Sequence, residues 1–95
     1  MAKYVVLGRF RSGMDLSQSP ARVEKVKAAL AAVGGKLDAV HYTMGRYDFV
    51  TIIEAPDNDA AAAFLAWYAK LGIAETTTMP AMSLDELVKA STRIK

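Results

Sequence analysis

Few residues in this chain are suited to chemistry, and most of them fall close together. His41 is the sole histidine and cysteine is absent, so a base working near neutral pH, or an imidazole ligand, has one candidate. It adjoins the polar stretch Tyr42-Thr43-Met44-Gly45-Arg46-Tyr47-Asp48. There Asp48 could take a proton, and Tyr42 and Tyr47 could offer hydroxyls to a small substrate. Arg9 and Glu54 each interrupt an apolar run, so each needs an ion-pair partner, solvent or a polar cavity. The catalytic candidates are therefore His41 and Asp48, and the ligand-binding candidates are Arg9, Tyr42, Tyr47 and Glu54. Tyr4 and Thr76 to Thr78 could extend a polar lining.

Each candidate also has a plainer account. A lone histidine on a half-buried strand is commonly just packed and hydrogen-bonded. Beside a glycine turn, the Asp48 carboxylate can accept backbone amides while Tyr47 covers the hairpin. Arg9 and Glu54 can bridge neighbouring strands, and strand propensity alone accounts for the threonines. Phe64, Trp67 and Tyr68 recur at helical spacing and read as core rather than as a stripe for a ligand. One histidine and dispersed carboxylates make no metal set. The glycines form no phosphate-cradling loop, and there is no serine nucleophile elbow. No cofactor is expected, except that an enzyme reading leaves room for haem on His41.

These residues are positioned by a regular series of elements. Tyr4 to Phe10 is short and rich in β-branched and aromatic residues, with Tyr4, Val6 and Phe10 on one face and Val5 and Leu7 on the other. A strand apolar on both faces wants cover on both. Ser19 is placed to cap a helix that opens with Pro20, carries Val23, Val26, Leu30 and Val33 on one face, and ends at Gly34-Gly35. Lys36 to Thr43 alternates Leu37, Ala39 and His41 against Asp38, Val40 and Tyr42, the pattern of a strand of intermediate burial. Gly45 permits the reversal into a central strand, Asp48 to Ala55. Pro56 stops that strand, and Asp57-Asn58-Asp59 starts a second helix running through Lys70 to Gly72. Ile73 to Met82 is a fourth strand. Ser83 and Glu86 have the spacing of a capping box ahead of Leu84, Leu87 and Val88, which predicts a short terminal helix.

The order predicts an α+β fold: a ferredoxin-like βαββαβ unit with a four-stranded antiparallel sheet, two helices on one face and a short C-terminal helix. The other sheet face is left bare and apolar, which marks an interface. Two sheets pairing face to face would make a dimeric α/β barrel burying roughly 800 Å² per subunit.

With 95 residues, one domain spanning 1–95 is expected, burying roughly 60 to 65% of its unfolded surface. Its composition is 53% apolar without cysteine, so stability must come from packing, to which a partner subunit can add. The 12 basic residues against 10 acidic ones give a net charge of only +2. They are scattered from Arg9 and Arg11 through Arg22, Lys25 and Lys27 to Lys89, Arg93 and Lys95, which disfavours nucleic acid as a partner. Met1-Ala2-Lys3 leads into an apolar run too short for a signal peptide, and no run approaches the roughly 20 residues that span a bilayer. A cytoplasmic protein with no membrane partner is expected.

Gly45-Arg46-Tyr47-Asp48-Phe49-Val50 carries a Gly-x-Tyr-Asp signature in Gly45, Tyr47 and Asp48, and the chain resembles the GYD-domain family of small bacterial proteins. The likeness runs through Lys3-Tyr4-Val5-Val6-Leu7 with Arg9-Phe10, Ser19-Pro20 with Arg22, Gly34-Gly35-Lys36-Leu37, and Ile52-Ile53-Glu54-Ala55-Pro56-Asp57. Ser12-Gly13 departs from the family's threonine-containing turn. The resemblance implies a ferredoxin-like domain related to dimeric α/β-barrel proteins and brings no reaction with it.

Two functions follow as expectations. In the first, the chain self-associates through its sheet and holds a small ligand in the cavity between subunits. In the second, it is a cofactor-independent oxygenase, an isomerase or a haem-binding barrel. His41 would be its base, with Tyr47, Asp48 and Arg9 orienting a small organic substrate.

Overall fold

The structure is a computed structural model and describes residues 1–94. Strand β1 spans Ala2–Phe10, helix α1 Ser19–Ala32, β2 Lys36–Tyr42, β3 Phe49–Ala55, α2 Asn58–Lys70, β4 Ala74–Ala81 and α3 Leu84–Ser91. The sheet order is β2-β3-β1-β4 with every neighbouring pair antiparallel, so the fold is the ferredoxin-like one. A single 3-10 turn, Leu16–Gln18, leads into α1.

Strand alternation decides what lies where. In β1 Tyr4, Val6 and Gly8 are buried, and in β3 Phe49, Thr51, Ile53 and Ala55, while the residues between them are only half-buried. The buried set meets Leu30 of α1 and Ala61 and Phe64 of α2, with Val26, Val33, Leu65 and Trp67 packed around them. Both long helices thus cover one face of the sheet. Leu30 and Ile53 are fully enclosed, a burial that stabilises by about 1.5–3 kcal/mol per side chain. The hydroxyl of Tyr4 donates to Asn58 Oδ1, tying the central strand to the start of α2.

Two local expectations need correction. First, β2 does not alternate strictly: its register against β3 shifts between Leu37 and Ala39. The extra residue, Asp38, re-phases the strand as a bulge does. Leu37 packs on the core, and Val40 and Tyr42 end on the helix side, whereas Ala39 and His41 fall on the open side. The Asp38 carboxylate lies 3.5 Å from Lys3 Nζ and 3.9 Å from Lys36 Nζ. Second, Ser19 is not the cap of α1 but its first residue. Gln18 holds the cap position without a side-chain bond, and Asp15 caps the preceding turn instead.

The other two caps form as expected. Asp57 accepts from the Ala60 amide at 2.8 Å, and Ser83 and Glu86 make the reciprocal pair at 2.9 and 3.1 Å. Helix α3 nevertheless buries none of its residues, and Leu84 is 75% exposed. The radius of gyration is 14.6 Å, against about 12 Å for a compact chain of this length, as expected when an end element stands off the body. Among the described residues, no helix is long and apolar enough to cross a membrane.

Candidate functional site

The sheet separates the residues that looked able to act together. His41 lies opposite Val50, exposed on the open face. Arg9 is exposed on the same face opposite Glu75. Glu54 shares that face but pairs in register with Lys3 and Lys36, and its carboxylate sits 3.2 Å from Lys36 Nζ. The expected bridge between Arg9 and Glu54 does not form, because Glu54 lies opposite Lys3, six positions along β1 from Arg9, a span of about 20 Å.

The hairpin stretch has mostly architectural contacts. Asp48 Oδ2 accepts from the Phe10 amide at 2.7 Å, and the Asp48 amide donates to the Gly8 carbonyl at 2.7 Å. Thr43 closes the loop by donating its amide to the Asp48 carbonyl at 2.8 Å and its hydroxyl to the Tyr47 carbonyl at 2.6 Å. Gly45 has a φ of +133°, a conformation in which a side chain would be strained. The Arg46 guanidinium lies 6.0 Å from the Tyr47 ring centre. Those two residues share a shallow depression with Arg9 and Glu75. Arg9 and Tyr47 therefore come together, whereas His41 joins neither of them there.

Tyr42 faces the other way and belongs to a separate cleft. The cleft opens between α1, α2 and the helix side of the sheet. Its floor is Val6, Val40, Phe49 and Thr51, its walls are Val23 and Val26 against Phe64, Leu65 and Tyr68, and its mouth is Phe10, Arg22 and Tyr42. The Phe10 ring lies 5.0 Å from Phe49 and 6.4 Å from Tyr42 between centres, so three rings line one end. Gly8 makes room for this: a Cβ there would stand 1.9 Å from Phe49 Cζ. The cavity volume is about 50 Å³, room for one slim group and not for a large cofactor.

Its electrostatics centre on Arg22. The guanidinium lies 5.6 Å from the Phe10 ring centre, donating from Nη1 to the Asp15 carbonyl at 3.2 Å and from Nη2 to Ser19 Oγ at 3.0 Å. Ser19, freed from capping, thus positions the arginine. None of the ion pairs among the described residues involves Arg22. Burial pushes the Tyr68 hydroxyl above its ordinary value; Arg22 pulls it down and Tyr42 pushes it up, which sets the three groups within electrostatic reach of one another.

Reading the sequence missed Arg22, Tyr68 and Phe10 as site residues. Arg22 passed as a solvated helix charge and Tyr68 as core. The available signal was spacing: Arg22 stands one turn before Val26, inside the apolar stripe of α1 rather than opposite it.

Comparisons place this geometry among known folds. A family model described as GYD domain matches residues 4–90. No protein of curated function matches the sequence. Among solved structures, 30S ribosomal protein S6 from Thermotoga maritima is similar at TM-score 0.66 and 16% identity, over 97% of this chain and 98% of that one. FFRP-DM1 is similar at TM-score 0.62 and 20% identity, over 86% and 100% of the two chains. A protein from Bacteroides fragilis, described as dimeric, of unknown function and ferredoxin-like, is similar at TM-score 0.52 and 15% identity, over 86% and 95%. At these identities the likeness is one of fold.

Proposed function

We propose that this chain, which belongs to the GYD-domain family, is a small self-associating domain whose open sheet faces pair in a homodimer. The observation that carries this reading is the pattern across the open face. One cross-strand row is Ala39, Ile52, Val5 and Met79, and the next is His41, Val50, Leu7 and Thr77. Lys36, Glu54 and Lys3 border these rows at one end, and Arg9 and Glu75 at the other. An apolar band between charged borders has the anatomy of a protein interface.

A second copy must find more cover than the sheet face alone offers. Four strands about 4.8 Å apart and about 25 Å long present a flat footprint near 480 Å², below the roughly 800 Å² per partner of a standard interface. Helix α3 supplies further apolar surface in Leu84, Leu87 and Val88, each of them exposed. The dimeric description of the Bacteroides fragilis relative agrees with this reading. Where such sheets meet, the small residues Ala39, beside His41 on one edge strand, and Thr77, on the other edge strand, are where space for a ligand would be left. The enzyme reading draws less support, since Ala39, Val50 and Leu7 around His41 offer no group to relay a proton.

Light scattering on the purified chain tests the pairing. The expected mass is twice the 10.3 kDa of one chain, falling to one chain in Ile52→Lys. A wild-type monomer at micromolar concentration would refute it.

A further inference from the structure

We infer that the cleft mouthed by Arg22 binds a small monocarboxylate with a flat or branched apolar body, independently of any pairing of sheets. The chemistry follows from the match between one cation and apolar walls. Of the five donors of a guanidinium, Arg22 commits two, to the Asp15 carbonyl and to Ser19 Oγ, and these fix its plane at the mouth of the cleft. The Asp15 carboxylate, held at Oδ1 by the Ser17 amide at 3.0 Å and the Ser17 hydroxyl at 2.6 Å, feels the Arg22 charge but makes no ion pair with it. A preoriented fork without a carboxylate partner fits a planar carboxylate in two-point fashion.

The rest of the cleft selects the ligand's body. Tyr42 and Tyr68 stand with Arg22 as hydroxyl donors; a phenol is protonated at neutral pH, and burial pushes the Tyr68 hydroxyl further up. Behind them the lining is aromatic and branched aliphatic, with Thr51 as the polar residue of the floor. A phosphate would leave most of its oxygens against apolar walls with one cation to meet them, at a high desolvation cost. A single ring or short branched chain suits the width.

Phenylacetate and its neutral counterpart phenylacetamide are suitable probes, followed by amide chemical shifts in two-dimensional NMR. Phenylacetate is expected to bind saturably at millimolar concentration or below, the range open to a ligand of about ten heavy atoms. Shifts should centre on Phe10, Arg22 and Tyr68, with phenylacetamide at least about tenfold weaker, because it cannot satisfy the guanidinium charge. Arg22→Gln should weaken phenylacetate by a similar factor, and Arg22→Lys by less. Equal binding of acid and amide would overturn the proposal. So would shifts confined to Val5, Leu7, Val50 and Ile52, or no saturable shift at all. The acid and amide comparison uses the wild-type chain, so the test stands even if an Arg22 variant fails to fold.

Discussion

Replacing Asp48 separates an architectural role from a chemical one. The carboxylate accepts the Phe10 amide at 2.7 Å, just beyond the last register pair of β1 with β3, Gly8 opposite Phe49. It carries the β1–β3 pairing past the point where the backbone ladder ends. A hydrogen bond to an ionised group contributes about 1.5–3 kcal/mol, and the half-buried setting of both residues favours the lower part of that range, since water can partly replace the lost acceptor. Asp48→Ala should therefore cost about 1–2 kcal/mol, or about 4–16 °C in Tm for a chain of this size. Asp48→Asn keeps an acceptor oxygen but loses the charge, and should fall between wild type and alanine. Thermal melts followed by circular dichroism decide the matter, run at one protein concentration because self-association would make Tm depend on it. An alanine variant melting within about 2 °C of wild type would refute the reasoning and return Asp48 to the list of candidate functional residues.

Two further outcomes test other parts of the structure. Gly8→Ala drives a methyl into the Phe49 ring, which is already packed against Phe10, and should cost about 1–3 kcal/mol in urea unfolding; an unchanged midpoint would show that the ring can move aside. The Glu86 carboxyl is held below its ordinary value of 4.5, first by the Ser83 amide and then by the Ser83 hydroxyl. Because the folded value is depressed, this contribution to α3 is fully present above the ordinary value and is lost as pH falls through the depressed one. Carbon chemical shifts of residues 84–91 in wild type should thus lose helical character as pH falls from neutral to below the depressed value. Ser83→Ala should be less helical at neutral pH and respond less to acid, and an identical titration in both would contradict the cap.

Much of the fold was legible because its signals are local. The stripe Val23, Val26, Leu30, the cap Asp57 and the box Ser83–Glu86 each act within a few residues, and each chooses one conformation. What escaped depends on partners distant in the chain. The bulge at Asp38 is set where β2 meets β3, and strict alternation cannot reveal it, so Leu37 looked like a face-mate of Ala39 and His41 while it stands on the helix side with Val40 and Tyr42. The role of Ser19 was hidden for the same kind of reason: it looks like a cap, but its hydroxyl receives Arg22. The cleft itself draws Phe10, Arg22, Tyr42 and Tyr68 from four separate elements, and no spacing in the sequence links them.

The pairing face and the cleft lie on opposite sides of one sheet, and that arrangement makes them separable. Val50 and Ile52 face the open side while Phe49 and Thr51, alternating with them in β3, floor the cleft. A charge introduced at Ile52 meets the partner sheet and leaves the cleft lining unchanged, so Ile52→Lys should shift the mass to that of one chain with phenylacetate binding within about twofold of wild type. Arg22→Gln should do the reverse, weakening the acid while the mass stays that of a pair. If Ile52→Lys removes both pairing and binding, the ligand space lies between sheets, beside His41 and Arg9, and the cleft assignment fails while the dimer stands. If Arg22→Gln removes binding from a chain that is monomeric throughout, the dimer fails while the cleft stands.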